Sequence, residues 1–163
     1  MMLSAAGCRA AGVVGAARRG GVPIAPDEAR DVLEMREAIE VSTARRALED
    51  GVLSPELLTE LRSNIAGQRE RVAAGDIDGF VGLDGEFHAA FIRASRNTTA
   101  MHFHDLLRDR QHRLRWQVLH IRPDQIQAAL GDHKGMLIAA EQGDADEFCR
   151  LVGVHVRRHR GLL

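Results

Sequence analysis

The sequence predicts an all-α fold, a bundle of helices joined by short turns. From Pro26 onward, apolar residues recur at three- and four-residue steps, the spacing that lines one face of a helix. No stretch alternates apolar and polar residues as a half-buried strand would, tyrosine is absent, and valine, isoleucine and threonine do not cluster. Glycines at 51, 75 and 143 separate the periodic segments, so connections are short and successive helices are expected to pack antiparallel.

The first helix is expected over 27–50, where Val32, Met35 and Ile39 form an apolar row widened by Leu33, Ala44 and Leu48. Thr43 interrupts that row with a hydroxyl. The second begins at Ser54, a natural N-cap, with Pro55 in the first helical position, and runs to about residue 74. Asp76 caps the third, which carries Phe80, Leu83, Phe87, Phe91 and Ile92. Gly79, Gly82 and Gly85 weaken its first half by roughly 1 kcal/mol each relative to alanine, which points to close packing or distortion there. Asn97 caps a fourth helix reaching about 121, and Pro123 opens a fifth reaching about 142. Asp144 with Glu147 forms a capping-box start for a sixth helix that runs to the C-terminus.

Length and composition bound the function. The 163 residues suffice for one domain, with 45% hydrophobic residues for a core and 28% charged residues for a surface. A formal net charge of −1 and scattered basic residues argue against a nucleic-acid face. The one basic cluster, Arg157, Arg158, His159 and Arg160, is expected to be a solvated last turn complementing the helix dipole. Cys8 and Cys149 lie in unlike contexts, which fits a reducing cytoplasm rather than a disulfide framework. No apolar run approaches a membrane span, so no membrane association is expected. Residues 1–25 are rich in alanine and glycine, carry Arg9 inside the apolar stretch and lack periodicity. They read as a flexible leader or linker remnant ahead of a helical domain over 26–163.

The chemistry concentrates in four residues. Asp84 and His88 are four apart on one helix, so carboxylate and imidazole share a face and can meet one cation. Phe87 and Phe91 flank His88, and a carboxylate buried there must be paired, hydrogen-bonded or metal-bound. His133 sits among Met136, Leu137 and Ala140, and His155 among Leu151, Val152 and Val156. Each histidine alone reads more readily as a hydrogen-bonded core residue than as a ligand. Together the four compose a candidate divalent-metal site in a bundle core.

The segments DVLEMREAIEVSTARRALEDG, LDGEFHAAFIRASRNTT, DHKGMLIAAEQGDADEF and GVHVRRH place these residues in a recognisable order. Residues from about 27 to 163 resemble the FCD domain, the C-terminal effector domain of FadR-type regulators in the GntR superfamily. The resemblance implies an antiparallel bundle of six or seven helices. It also implies a metal ion, zinc first, with nickel or manganese as alternatives, held by Asp84, His88, His133 and His155. A small carboxylate effector would complete the coordination and a homodimer would form. It implies that Arg36 clamps the effector, unless Arg36 simply pairs with Glu40, and that Arg113 and Arg115 flank the cavity. Three imidazoles and a carboxylate suit first-row divalent ions, and four protein ligands leave octahedral positions open for an effector carboxylate.

The sequence departs from the resemblance in two places. The roughly 25 residues before the first helix show no winged helix-turn-helix pattern, so the chain as written is not expected to bind DNA except through such a domain elsewhere. Gly85 and Gly135 lie beside proposed ligands, where extra backbone freedom is expected to loosen the site. The reading is therefore a metal-dependent sensing and dimerisation domain, not an enzyme. The alternatives are a metal-free module that heterodimerises with an intact regulator, and a metal-dependent hydrolase. The hydrolase lacks an evident base, because Glu86 lies two residues from both Asp84 and His88 and points off their face. His102, His104, His112, His120 and His159 are expected at the surface or at caps.

Overall fold

A computed structural model describes residues 23–160 of the chain. Six helices form, in the predicted order: α1 Pro26–Glu49, α2 Pro55–Ala74, α3 Ile77–Ala94, α4 Thr98–Ile121, α5 Gln125–Gln142 and α6 Ala145–Arg160. There is no strand among the described residues. The predicted leader lies outside the described residues except for its last three. Of those, Ile24 belongs to the core and donates its backbone N–H to Gln117 Oε1 at 3.1 Å, which ties the entry of α1 to α4.

Local chemistry sets the boundaries. Ser54, Asp76, Asn97 and Asp144 each accept a backbone N–H three residues on, from Leu57, Gly79, Ala100 and Glu147 respectively. The predicted return half of the last box does not form, because the Glu147 carboxylate takes Arg150 at 2.6 and 2.7 Å instead. α5 starts two residues after Pro123, and its cap Asp124 pairs with Arg122 rather than with the helix. Gly51 follows α1 at φ +62°, so that Val52 N–H reaches the Ala47 carbonyl and closes the helix end.

The helices α1, α6, α5, α2 and α3 pack as a closed ring of neighbours, with α4 laid against α1 and α3. The apolar core includes Leu33 and Val32 of α1, Leu61 of α2, Phe80, Phe87 and Phe91 of α3, Leu114 of α4, Met136 of α5, and Phe148 and Val152 of α6. Two details correct the sequence reading of α1. Met35 is 47% exposed and belongs to the surface. Thr43 is buried, and its hydroxyl donates to the Ile39 carbonyl at 2.7 Å, so the polar atom carries its own partner.

Candidate metal centre

All four predicted ligands converge. Asp84 and His88 from α3, His133 from α5 and His155 from α6 are buried, and one ligand atom from each lies within 4.8 Å of the other three. His88 Nε2 is 3.1 Å from His133 Nε2. Asp84 Oδ1 is 3.3 Å from His133 Nε2 and 3.9 Å from His155 Nε2. Ligand atoms about 2.1 Å from one ion stand roughly 3.0–3.4 Å apart at octahedral or tetrahedral angles. The two shorter separations match that spacing.

A second set of residues, invisible to the motif, aims the rings. Each imidazole turns its Nδ1 outward to an acceptor on a different helix or turn of helix. His88 Nδ1 lies 2.8 Å from Glu40 Oε2 on α1. His133 Nδ1 is hydrogen-bonded to Gln68 Oε1 on α2 at 2.7 Å. His155 Nδ1 is hydrogen-bonded to Asp132 Oδ2 on α5 at 3.3 Å. These acceptors place the ring proton on Nδ1, which leaves the Nε2 lone pairs facing inward. Two such lone pairs at 3.1 Å repel one another unless a cation sits between them. That, together with the unpartnered Nε2 of His155, is why this donor set fits a metal ion.

The acceptors are held in turn. Arg36 Nε donates to Glu40 Oε1 at 2.7 Å, a pair buried on α1. Gln68 Nε2 donates to Asn64 Oδ1, and Asn64 reaches the Leu83 carbonyl on α3. Arg158 donates to both oxygens of Asp132 at 3.0 and 3.1 Å. Phe80 and Phe87 lie against the His133 ring at 6.4 and 4.7 Å between centroids, keeping the centre apolar around its polar middle.

Electrostatics prepares the ligands for binding at neutral pH. Burial pushes His88 down to about 4 and His155 to about 3, although Glu40 and Asp132 pull the other way. Both rings are therefore neutral and able to donate lone pairs. Burial alone would raise Asp84 and Glu40. For Asp84 the charge of the Arg115 guanidinium opposes it, and for Glu40 Arg36 and His88 do; both carboxyls are held low. Arg115 Nε is 3.1 Å from Asp84 Oδ2. The buried charges of Asp84, Glu40, Arg36 and Arg115 sum to zero, so a divalent cation would leave the interior with two positive charges to neutralise.

The predicted arginines divide. Arg115 reaches the centre, and it also lines a groove of about 290 Å³ between α3 and α4, together with Gly82, Gly85, Arg93 and Arg108. Arg36 is 1% exposed and engages Glu40, the pairing that competes with its role as a clamp, yet its Nη2 atom makes no hydrogen bond in the protein. Arg113, two residues from Arg115, points to another face of α4 and is half-buried. Gly85 and Gly135 are packing positions rather than loose points. A Cβ at Gly85 would come within 2.9 Å of Arg115 Nη2, and one at Gly135 within 3.2 Å of Leu151. Glu86 is exposed and faces Arg93 at 3.5 Å, away from the centre as its spacing predicts. His159 was expected at the surface and is instead 2% exposed, because α6 continues its inward face one turn past His155.

Residues 31–158 match the FCD domain family. The chain belongs to the FCD domain family. Domains of this family are ligand-sensing parts of GntR-type transcription regulators, and the all-α bundle described above is their fold. A solved structure of E. coli McbR/YncC superposes with a TM-score of 0.72 at 16% sequence identity, over 81% of this FCD chain. The match covers 65% of that chain, so the FCD chain here spans just under two thirds of its length. No curated protein sequence matched. Among the described residues, no helix is long and apolar enough to cross a membrane.

Proposed function

We propose that this FCD domain is a metal-dependent sensor of small organic acids. Zinc is the first choice of ion, with nickel or manganese as alternatives, held by Asp84, His88, His133 and His155. The observation that carries this reading is the set of three imidazoles with Nδ1 tied outward and Nε2 converging on one buried carboxylate. When bound, the ion supplies an electrostatic anchor with open positions for an oxygen ligand. The charge sum calls for an anion, and Arg115, between Asp84 and the α3–α4 groove, is placed to receive it. Arg36 supports the anion through its free Nη2 while holding Glu40 with Nε.

A catalytic role has little support, since Glu86 is exposed and paired outward with Arg93, while Glu40 and Asp132 are engaged by His88 and His155. Pairing of two copies is part of the proposal. The first half of α4, up to Arg110, contributes no buried residue, and it displays Phe103 and Leu106 at 49% and 57% exposure. Trp116 is turned to its own fold, with Nε1 donating to Asp78 at 2.8 Å. Regulation of DNA binding would then pass through a winged-helix domain, in the same polypeptide or in a partner.

The test is elemental analysis of the purified chain, followed by calorimetry with acetate, lactate, malate and citrate before and after metal removal. The expected result is near-stoichiometric metal and carboxylate binding that disappears with the metal. Metal-free protein that takes up no added zinc would end the proposal.

A further inference from the structure

Among the described residues, apart from His155 Nε2, the atoms of the Glu40–His88 and Arg115–Asp84 contacts and the partly exposed Arg158, three buried polar atoms have no hydrogen bond in the protein: Arg36 Nη2, Gln111 Oε1 and His159 Nδ1. All three residues are almost wholly buried. Buried polar atoms are nearly always paired, so these three call for partners. His159 lies one turn beyond His155 on the same face of α6, with ring centroids 5.2 Å apart. The charges of Arg36, Asp84 and Arg115 all bear on its imidazole. Gln111 lies one turn before Arg115 on α4, and α4 packs on α1, which carries Arg36. His159 is not one of the four residues that share the ion. It stands next to them through its contact with the His155 ring.

The three atoms ask for different things. Arg36 Nη2 is a donor and requires an acceptor. Gln111 Oε1 is an acceptor and requires a donor. His159 Nδ1 serves as either, according to its tautomer. A bare carboxylate offers acceptors only and would leave Gln111 unanswered. A hydroxyl group offers both. Resting on the reading of the centre as an anion-binding metal site, we propose that His159 and Gln111, with the free arm of Arg36, are specificity-determining residues. They read hydroxyl groups on the part of a metal-bound carboxylate that projects past the ion, and so select a hydroxylated acid over its deoxy counterpart.

The experiment compares matched probes by calorimetry on the zinc-loaded chain: gluconate against hexanoate, and malate against succinate. A hydroxyl next to the carboxylate also chelates the metal in every variant, so the quantity read is how the preference changes on mutation. In the unmutated chain the hydroxylated member of at least one pair binds more tightly. His159→Phe and Gln111→Leu each cut that preference by about tenfold, while zinc affinity and helical content stay the same. His159→Asn, whose amide nitrogen falls near Nδ1, restores it and guards against His159→Phe failing to fold. Equal binding of both members by the unmutated chain overturns this assignment alone, as does an unchanged preference in both apolar variants. Absence of carboxylate binding to zinc-loaded protein removes the sensor reading and this assignment together.

Discussion

Gln68→Met isolates the aiming of one ligand from its identity. Gln68 is fully buried and uncharged, and its Oε1 is the acceptor for His133 Nδ1 at 2.7 Å. Methionine has nearly the same volume and adapts to irregular space, so little cavity energy is expected. What is lost is the hydrogen bond, which leaves a buried imidazole N–H without a partner at a cost of about 1–3 kcal/mol in the metal-free protein. The ring is also free to turn or to move its proton to Nε2. Removing an outer partner of a ligating histidine typically weakens metal binding 10- to 100-fold, or about 1.4–2.7 kcal/mol. Competition for zinc against a chromophoric chelator reads the second effect, and urea unfolding of the metal-free protein reads the first. If stability fell while zinc affinity held within about twofold, Gln68 would be a packing residue and the argument from Nδ1 partners would be wrong.

Three other outcomes follow from the same geometry. Gly85→Ala places a Cβ 2.9 Å from Arg115 Nη2, so carboxylate binding should weaken roughly tenfold or more while zinc still binds; equal weakening of both would contradict the separation of roles. Arg36→Met strands the Glu40 carboxylate in the interior and should cost about 3–5 kcal/mol, whereas Arg36→Met with Glu40→Gln costs less, as thermal unfolding would show; a double variant worse than the single one would count against the pair. His88 and His155 are held near 4 and 3, below the ordinary 6.5. Between those values the unfolded chain binds more protons than the folded one, so metal-free stability is full near neutrality and declines as pH falls from about 6.5 towards 4. Asp84 and Glu40, also held low, act in the same direction at still lower pH. Urea midpoints that stayed flat across that range would contradict the assignment of neutral, buried rings.

The helices were legible because their signals are local. A cap and its recipient are three residues apart, as with Ser54 and Leu57 or Asn97 and Ala100, so sequence and structure report the same event. The grouping of the four candidate ligands was legible for a related reason: Asp84 and His88 share a helical face, and His133 and His155 stand in apolar surroundings. Glu40, Gln68 and Asp132 were not. Their contacts with His88, His133 and His155 cross helices, and nothing local distinguishes them from surface residues. Arg36 and Glu40 hid the centre of the α1 stripe, because two charges that bury each other look like solvent-facing residues in a sequence. His159 was misread for the opposite reason. Its basic neighbours Arg157, Arg158 and Arg160 suggested a wet turn, while the four-residue step from His155 already placed it inside.

Every helix sends at least one buried polar side chain to the middle: Glu40, Gln68, Asp84, Arg115, His133 and His155 come from α1 to α6 in turn. An ion seated there would hold three rods directly and the other three through Glu40, Gln68 and Arg115, so loading should slow amide exchange along the entire domain rather than in one lobe. A message arriving at the middle needs no designated wire to reach the rim.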